Sequence, residues 1–96
     1  MKINAQKILR TLNREIIKDQ DGTLYTIGKA IAQILIQPGA DRKGMNPLKA
    51  YLLAQKFYDE KEVELDEADA AQVKEIVEKS VAFSPIILGQ ILEIMK

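Results

Sequence analysis

Asn46-Pro47-Leu48-Lys49-Ala50-Tyr51-Leu52-Leu53-Ala54-Gln55-Lys56-Phe57-Tyr58 carries the local signs of a helix. The Asn46 side chain offers an acceptor to the free N–H groups of a first helical turn. Pro47 fits the first helical position because the N–H it lacks would have had no partner there. Behind these two residues, Leu48, Tyr51, Leu52, Leu53, Ala54, Phe57 and Tyr58 occupy most of the circumference of the helix. That is the pattern of a helix packed on more than one side. The stretch therefore predicts a central helix from Pro47 to about Glu60, on which the rest of the chain packs.

Three similar start signals place three more helices. Thr26 precedes a helix from Ile27 to about Gln37, with Ile27, Ile31, Ile34 and Leu35 inward, and Pro38-Gly39 ends it. Gly28 in its first turn costs about 1 kcal/mol against alanine, which points to close approach of another backbone. Asp66 precedes a helix from Glu67 to about Ser80, with Ala70, Val73, Ile76 and Val77 inward. Ser84-Pro85 opens a last helix that runs to the end of the chain and holds Ile86, Ile87, Leu88, Ile91, Leu92, Ile94 and Met95. The loop Pro38–Asn46, with Gly39, Asp41, Arg42, Lys43 and Gly44, reads as the most mobile segment.

Residues 2–18 read in two ways. Ala5, Ile8, Leu9, Leu12 and Ile16 share one face of a helix. Alternatively, Lys7–Leu12 and Glu15–Lys18 form a hairpin around Asn13-Arg14, with Asn13 tolerant of a left-handed turn. Asp19-Gln20-Asp21-Gly22 is a turn by composition. No internal repeat, low-complexity tract or linker stands out.

Ninety-six residues suit one domain with a modest core. An apolar share of 47% against 29% charged residues belongs to a globular chain and excludes disorder. No apolar run approaches the roughly 18 residues that span a bilayer, and the first residues turn polar too soon for a secretory h-region. Without cysteine there is no disulfide framework and no thiolate metal site. These features predict a cytoplasmic location with no membrane contact, in a cell or in a particle assembled inside one.

The net charge of zero hides a gradient. Residues 1–49 carry nine Lys or Arg against four Asp or Glu, and residues 50–96 carry five against ten. The acidic excess is densest over residues 59–69, where Glu62, Glu64 and Glu67 are candidates for electrostatic contact with a basic partner. A solvated loop leading into a helix N-terminus, where carboxylates suit the dipole, explains the same run without a partner.

Four segments taken in order resemble a group of small phage and prophage proteins of uncharacterised function. They are residues 11–16, Thr-Leu-Asn-Arg-Glu-Ile, with residues 19–30 after them; residues 53–58, Leu-Ala-Gln-Lys-Phe-Tyr; Val63-Glu64-Leu65-Asp66; and Ser84-Pro85 with residues 86–92. The resemblance implies a hairpin in the first segment and a phage or mobile-element origin. It implies no particular reaction.

Catalytic chemistry finds little to work with. Histidine and cysteine are absent, which removes the commonest general base and the strongest nucleophile. Asp66 and Asp69 share a helical face, but nothing in that solvated stretch separates their pKa values. Gly39 and Gly44 lack the Lys-Ser/Thr of a phosphate loop. Gly22 as the turn glycine of a calcium loop would put Ile17 and Gly28 where ligands are required. The last two helices are spaced like a helix-turn-helix, yet the second offers only Gln90 and Lys96 to DNA. Lys7, Arg10, Arg14, Lys18, Arg42 and Lys43 are the candidates for a nucleic-acid contact.

The reading is a mostly α domain of the α+β kind: an N-terminal hairpin, then four short helices packed on the second. It has no catalytic, cofactor-binding or metal-binding residues. The expected activity is protein–protein interaction in phage assembly or phage–host interplay, with self-association. Ile87, Ile91 and Met95 on the last helix, with Tyr58, are the candidate interface, because the apolar excess there is more than one buried stripe needs. Core packing accounts for that excess equally well. The alternatives are an inhibitor of a host defence or nucleic-acid-processing complex, acting through the acidic segment, and an accessory nucleic-acid binder.

Overall fold

The computed structural model describes residues 1–39, 42 and 44–95, about half of them helical. In chain order the elements are β1 (Lys2–Asn4), α1 (Ile27–Ile36), α2 (Pro47–Asp59), β2 (Glu62–Glu64), α3 (Glu67–Lys79) and α4 (Pro85–Ile94). The fold is α+β, with one two-stranded antiparallel sheet. Its strands come from opposite halves of the chain, with Ile3 opposite Val63 and both buried.

The helix starts fall where the sequence puts them. Thr26, Asn46 and Asp66 each accept a hydrogen bond from the backbone N–H three residues on, at 3.2, 2.8 and 2.7 Å. Ser84 differs. Its side chain makes no capping bond, because the Ile87 amide that a capping hydroxyl would reach already donates to the Ser84 carbonyl at 3.1 Å. At the far end of α1 the Arg42 guanidinium donates to the carbonyls of Leu35 at 2.7 Å and Gln37 at 2.9 Å. It thereby satisfies acceptors that a helix end leaves open.

The N-terminal reversal is more regular than a hairpin. Three extended segments meet in a triangle of backbone hydrogen bonds. Leu9 N–H donates to Tyr25 O, Ile17 N–H to Leu9 O, and Tyr25 N–H to Ile17 O, all within 2.9–3.0 Å. Antiparallel bridges Arg10↔Ile16, Lys18↔Leu24 and Ile8↔Thr26 join the segments pairwise. The two intervening loops are built alike. Thr11 pairs with Glu15 and Asp19 with Thr23, and the last residue of each enclosed loop, Arg14 or Gly22, is left-handed at φ 69° or 85°. This is the three-residue hairpin loop with a left-handed closing residue.

An eight-residue structural repeat therefore runs through residues 9–25, where the sequence showed none. The helix alternative for residues 2–18 is excluded. The left-handed residue is Arg14 rather than Asn13, whose side chain instead accepts from Thr11 Oγ1.

The central element is α1, not α2. Seven of its ten residues are buried, and it packs against α2, α3 and α4, whereas the main neighbours of α2 are α1 and β2. The physical reason is that α1 is apolar on nearly every side, with Ile27, Ala30, Ile31, Ala32, Ile34 and Leu35 all buried, and it seats closely on α2 at Gly28. A Cβ there would stand 2.1 Å from the Phe57 carbonyl oxygen and 2.8 Å from Ala5, so only glycine lets the two helices approach so closely. One continuous core joins Ile3 to Met95 through Leu9, Ile31, Leu35, Phe57, Val73 and Ile91. Each such large side chain contributes roughly 1.5–3 kcal/mol on burial.

Candidate protein interface

Packing one face of α2 onto α1 leaves the opposite face bare. Ala50, Leu53, Ala54 and Phe57 turn inward. Leu48, Tyr51, Leu52 and Tyr58 remain 67%, 53%, 49% and 57% exposed. With Gln55 these form a continuous stripe at positions i, i+3, i+4, i+7 and i+10, one side of a helix. Exposed Ile36 at the end of α1 widens the stripe across a depression of about 230 Å³ lined by Ala32, Tyr51, Ala54 and Tyr58. On the other flank a shallow groove of about 550 Å³ runs along Leu48, Lys49, Leu52, Lys56 and Asp59.

Polar contacts hold this face in place. Lys49 Nζ lies 2.5 Å from Asp69 Oδ1 and ties the start of α2 to α3. The hydrogen bond to Asp69 raises the Lys49 pKa above its ordinary value. Lys29 Nζ sits 5.9 Å from the centre of the Tyr58 ring, a cation–π distance, and donates to Thr23 Oγ1 and the Leu24 carbonyl. Tyr58 is therefore braced from α1 while its outer side meets solvent.

The residues expected at an interface on the last helix divide sharply. Ile91 is 0% and Met95 1% exposed, so both are core side chains and the expectation is corrected for them. Ile87 is half-buried and packs against the same core. α4 packs on α3 and the N-terminal triangle through Ile91, its one buried residue, with Ile87, Leu88, Leu92 and Ile94 half-buried and Ile86 exposed. Of the four candidates, only Tyr58 lies on an open surface.

The acidic candidates Glu62, Glu64 and Glu67 are exposed. Glu62 comes within 3.9 Å of Lys2, and Lys2 faces Glu64 across the sheet. Asp66 and Asp69 are held by structure: Asp66 caps α3 and Asp69 binds Lys49.

The basic candidates do not form one surface. Arg42 is turned onto the end of α1 and Lys43 lies outside the described residues. Lys18 is exposed on the triangle. Lys7, Arg10 and Arg14 do come together, around a notch of about 420 Å³ that also holds Leu12, Gln90 and Glu93.

No helix is long and apolar enough to cross a membrane among the described residues. The chain matches no protein-family model, no curated protein and no solved structure.

The sequence marks Tyr51, Phe57 and Tyr58 as possible interface anchors, of which Phe57 is core and the two tyrosines are exposed, but the full stripe was hidden because the helix is apolar round most of its circumference. The signal was present in side-chain size. Small Ala50 and Ala54 fall with Leu53 and Phe57 on one side, and the bulky tyrosines fall on the other.

Proposed function

We propose that this chain is a non-enzymatic interaction protein whose contact surface is the outer face of α2. The observation that carries the reading is the exposed stripe Leu48, Tyr51, Leu52 and Tyr58. Scattered apolar side chains on a surface are ordinary, whereas a contiguous run of large ones rimmed by polar residues marks a binding face. Tyrosines suit such a role, since they bring large contact area with few torsions to immobilise. The resemblance to small phage and prophage proteins supplies the setting, phage assembly or phage–host interplay within the cytoplasm or the assembling virion.

The test compares tagged wild type with Leu52→Glu for every protein recovered from the expressing cell, untagged copies of the chain included. Recovery should depend on residue 52. Identical sets of recovered proteins would overturn the reading.

A second reading, inhibition of a host complex by the acidic segment, draws on the exposure of Glu62, Glu64 and Glu67. Charge reversal at all three separates the two. It should abolish inhibition under this second reading and leave the α2 contact unchanged under the first.

A further inference from the structure

We infer that the occupant of the α2 face is a second copy of this chain, docked with α2 antiparallel to α2 about a two-fold axis. This rests on the reading of that face as the interface and commits it to one partner.

Extent comes first. Four side chains of α2 and Ile36 together expose on the order of 500 Å². Two such faces bury on the order of 1,000 Å², the lower bound for a specific association, and predict a weak dimer.

The pattern along the stripe is self-complementary. Leu48 and Tyr58 stand about 15 Å apart along the helix axis, and the midpoint falls between Leu52 and Gln55. An antiparallel copy therefore places Leu48 over the Tyr58 end and Tyr51 beside Gln55. Gln55, the polar residue near the centre, carries both a donor and an acceptor and can pair with the Tyr51 hydroxyl of the second copy.

Charge selects the antiparallel arrangement. The α2 N-terminus then meets Asp59 and Glu60 of the second copy, and a helix N-terminus favours carboxylates, while Lys49 stays on Asp69 of its own chain. A parallel arrangement would set Asp59 and Glu60 on their own copies, carboxylate against carboxylate. The chain has equal numbers of cationic and anionic side chains, so two copies approach without net repulsion.

The absence of native cysteine makes the test clean, because Gln55→Cys introduces a single thiol near the proposed axis. Both Gln55 and the control Val81 are exposed, Val81 at 96% and away from α2. A short bismaleimide cross-linker, applied at a concentration where light scattering of the unmodified chain shows dimer, should convert Gln55→Cys to a covalent dimer. Val81→Cys should remain mostly monomeric. Equal cross-linking of the two variants, or an unmodified chain that is monomeric at every concentration, overturns the inference. If the chain is monomeric but recovery of another protein still depends on Leu52, the interface reading stands with a different occupant. If neither holds, both fall.

Discussion

The side-chain amide of Gln90 brackets the backbone of Arg10. Its Oε1 accepts from the Arg10 N–H at 3.0 Å and its Nε2 donates to the Arg10 carbonyl at 2.7 Å. Eighty residues apart in sequence, the two fasten α4 to the N-terminal triangle, and the Ile86 carbonyl holds the same Nε2 at 2.7 Å. Gln90→Ala should therefore cost about 1 kcal/mol of global stability. Amide exchange should speed up selectively over residues 9–17. Uniform acceleration along the chain would mean that the contact is not specific to the triangle.

Gly28 faces the Phe57 carbonyl with no room for a methyl group. Gly28→Ala gains about 1 kcal/mol of helix propensity and must push α1 and α2 apart, so a net loss of about 2 kcal/mol or more is expected. Denaturant unfolding measures it. A stabilised Gly28→Ala variant would contradict the close approach.

Arg14 occupies the left-handed position that Gly22 occupies in the next loop. Arg14→Gly relieves Cβ crowding and loses some unfolded-state restriction, and the balance should favour the variant by about 0.5–1 kcal/mol. The mirror change, Gly22→Ala, should destabilise by about 1 kcal/mol. Thermal unfolding of both variants checks the equivalence of the loops.

Alkaline pH should weaken the fold through two groups. Burial, and then the nearby Asp19 carboxylate, raise the Tyr25 phenol above its ordinary 10.0. The hydrogen bond to Asp69 raises Lys49 above its ordinary 10.5. In both cases the folded state holds its proton longer than the unfolded one. The stabilisation is complete below about pH 10 and is lost as pH rises through the folded values. Tyr25→Phe keeps the edge-on ring contact with Phe83, at 6.0 Å between centroids, and removes one of the two groups. Its melting temperature should fall less steeply than that of the wild type above pH 10. Parallel curves would assign the alkaline loss to other groups.

The helices were legible in the sequence because their signals are local. A short polar acceptor and a proline act within one turn, and Thr26, Asn46 and Asp66 do what their positions imply. Gly28 was legible too, since glycine inside a helix needs a reason. The triangle was not. Its repeat is mainly one of backbone geometry: the equivalent loop positions hold Arg14 in one copy and Gly22 in the other, and only the short triplets Ile8-Leu9-Arg10, Ile16-Ile17-Lys18 and Leu24-Tyr25-Thr26 recur, too brief a pattern to stand out. The partition between core and surface was hidden for a different reason. α2 and α4 are both apolar on more than one side, and composition alone cannot say which of them closes over the core. Ile91 and Met95 are buried whereas Leu48 and Tyr51 are exposed, a difference set by tertiary packing that neither helix's own pattern contains.

The central claim is that the chain associates through the outer face of α2. Light scattering of wild type and Leu52→Glu over a concentration series tests it most directly, with circular dichroism confirming that both are folded. The mass of the wild type should climb from monomer toward dimer, while Leu52→Glu stays monomeric at concentrations at least tenfold higher, about 1.4 kcal/mol of lost association. Superimposable mass curves for the two proteins would contradict it.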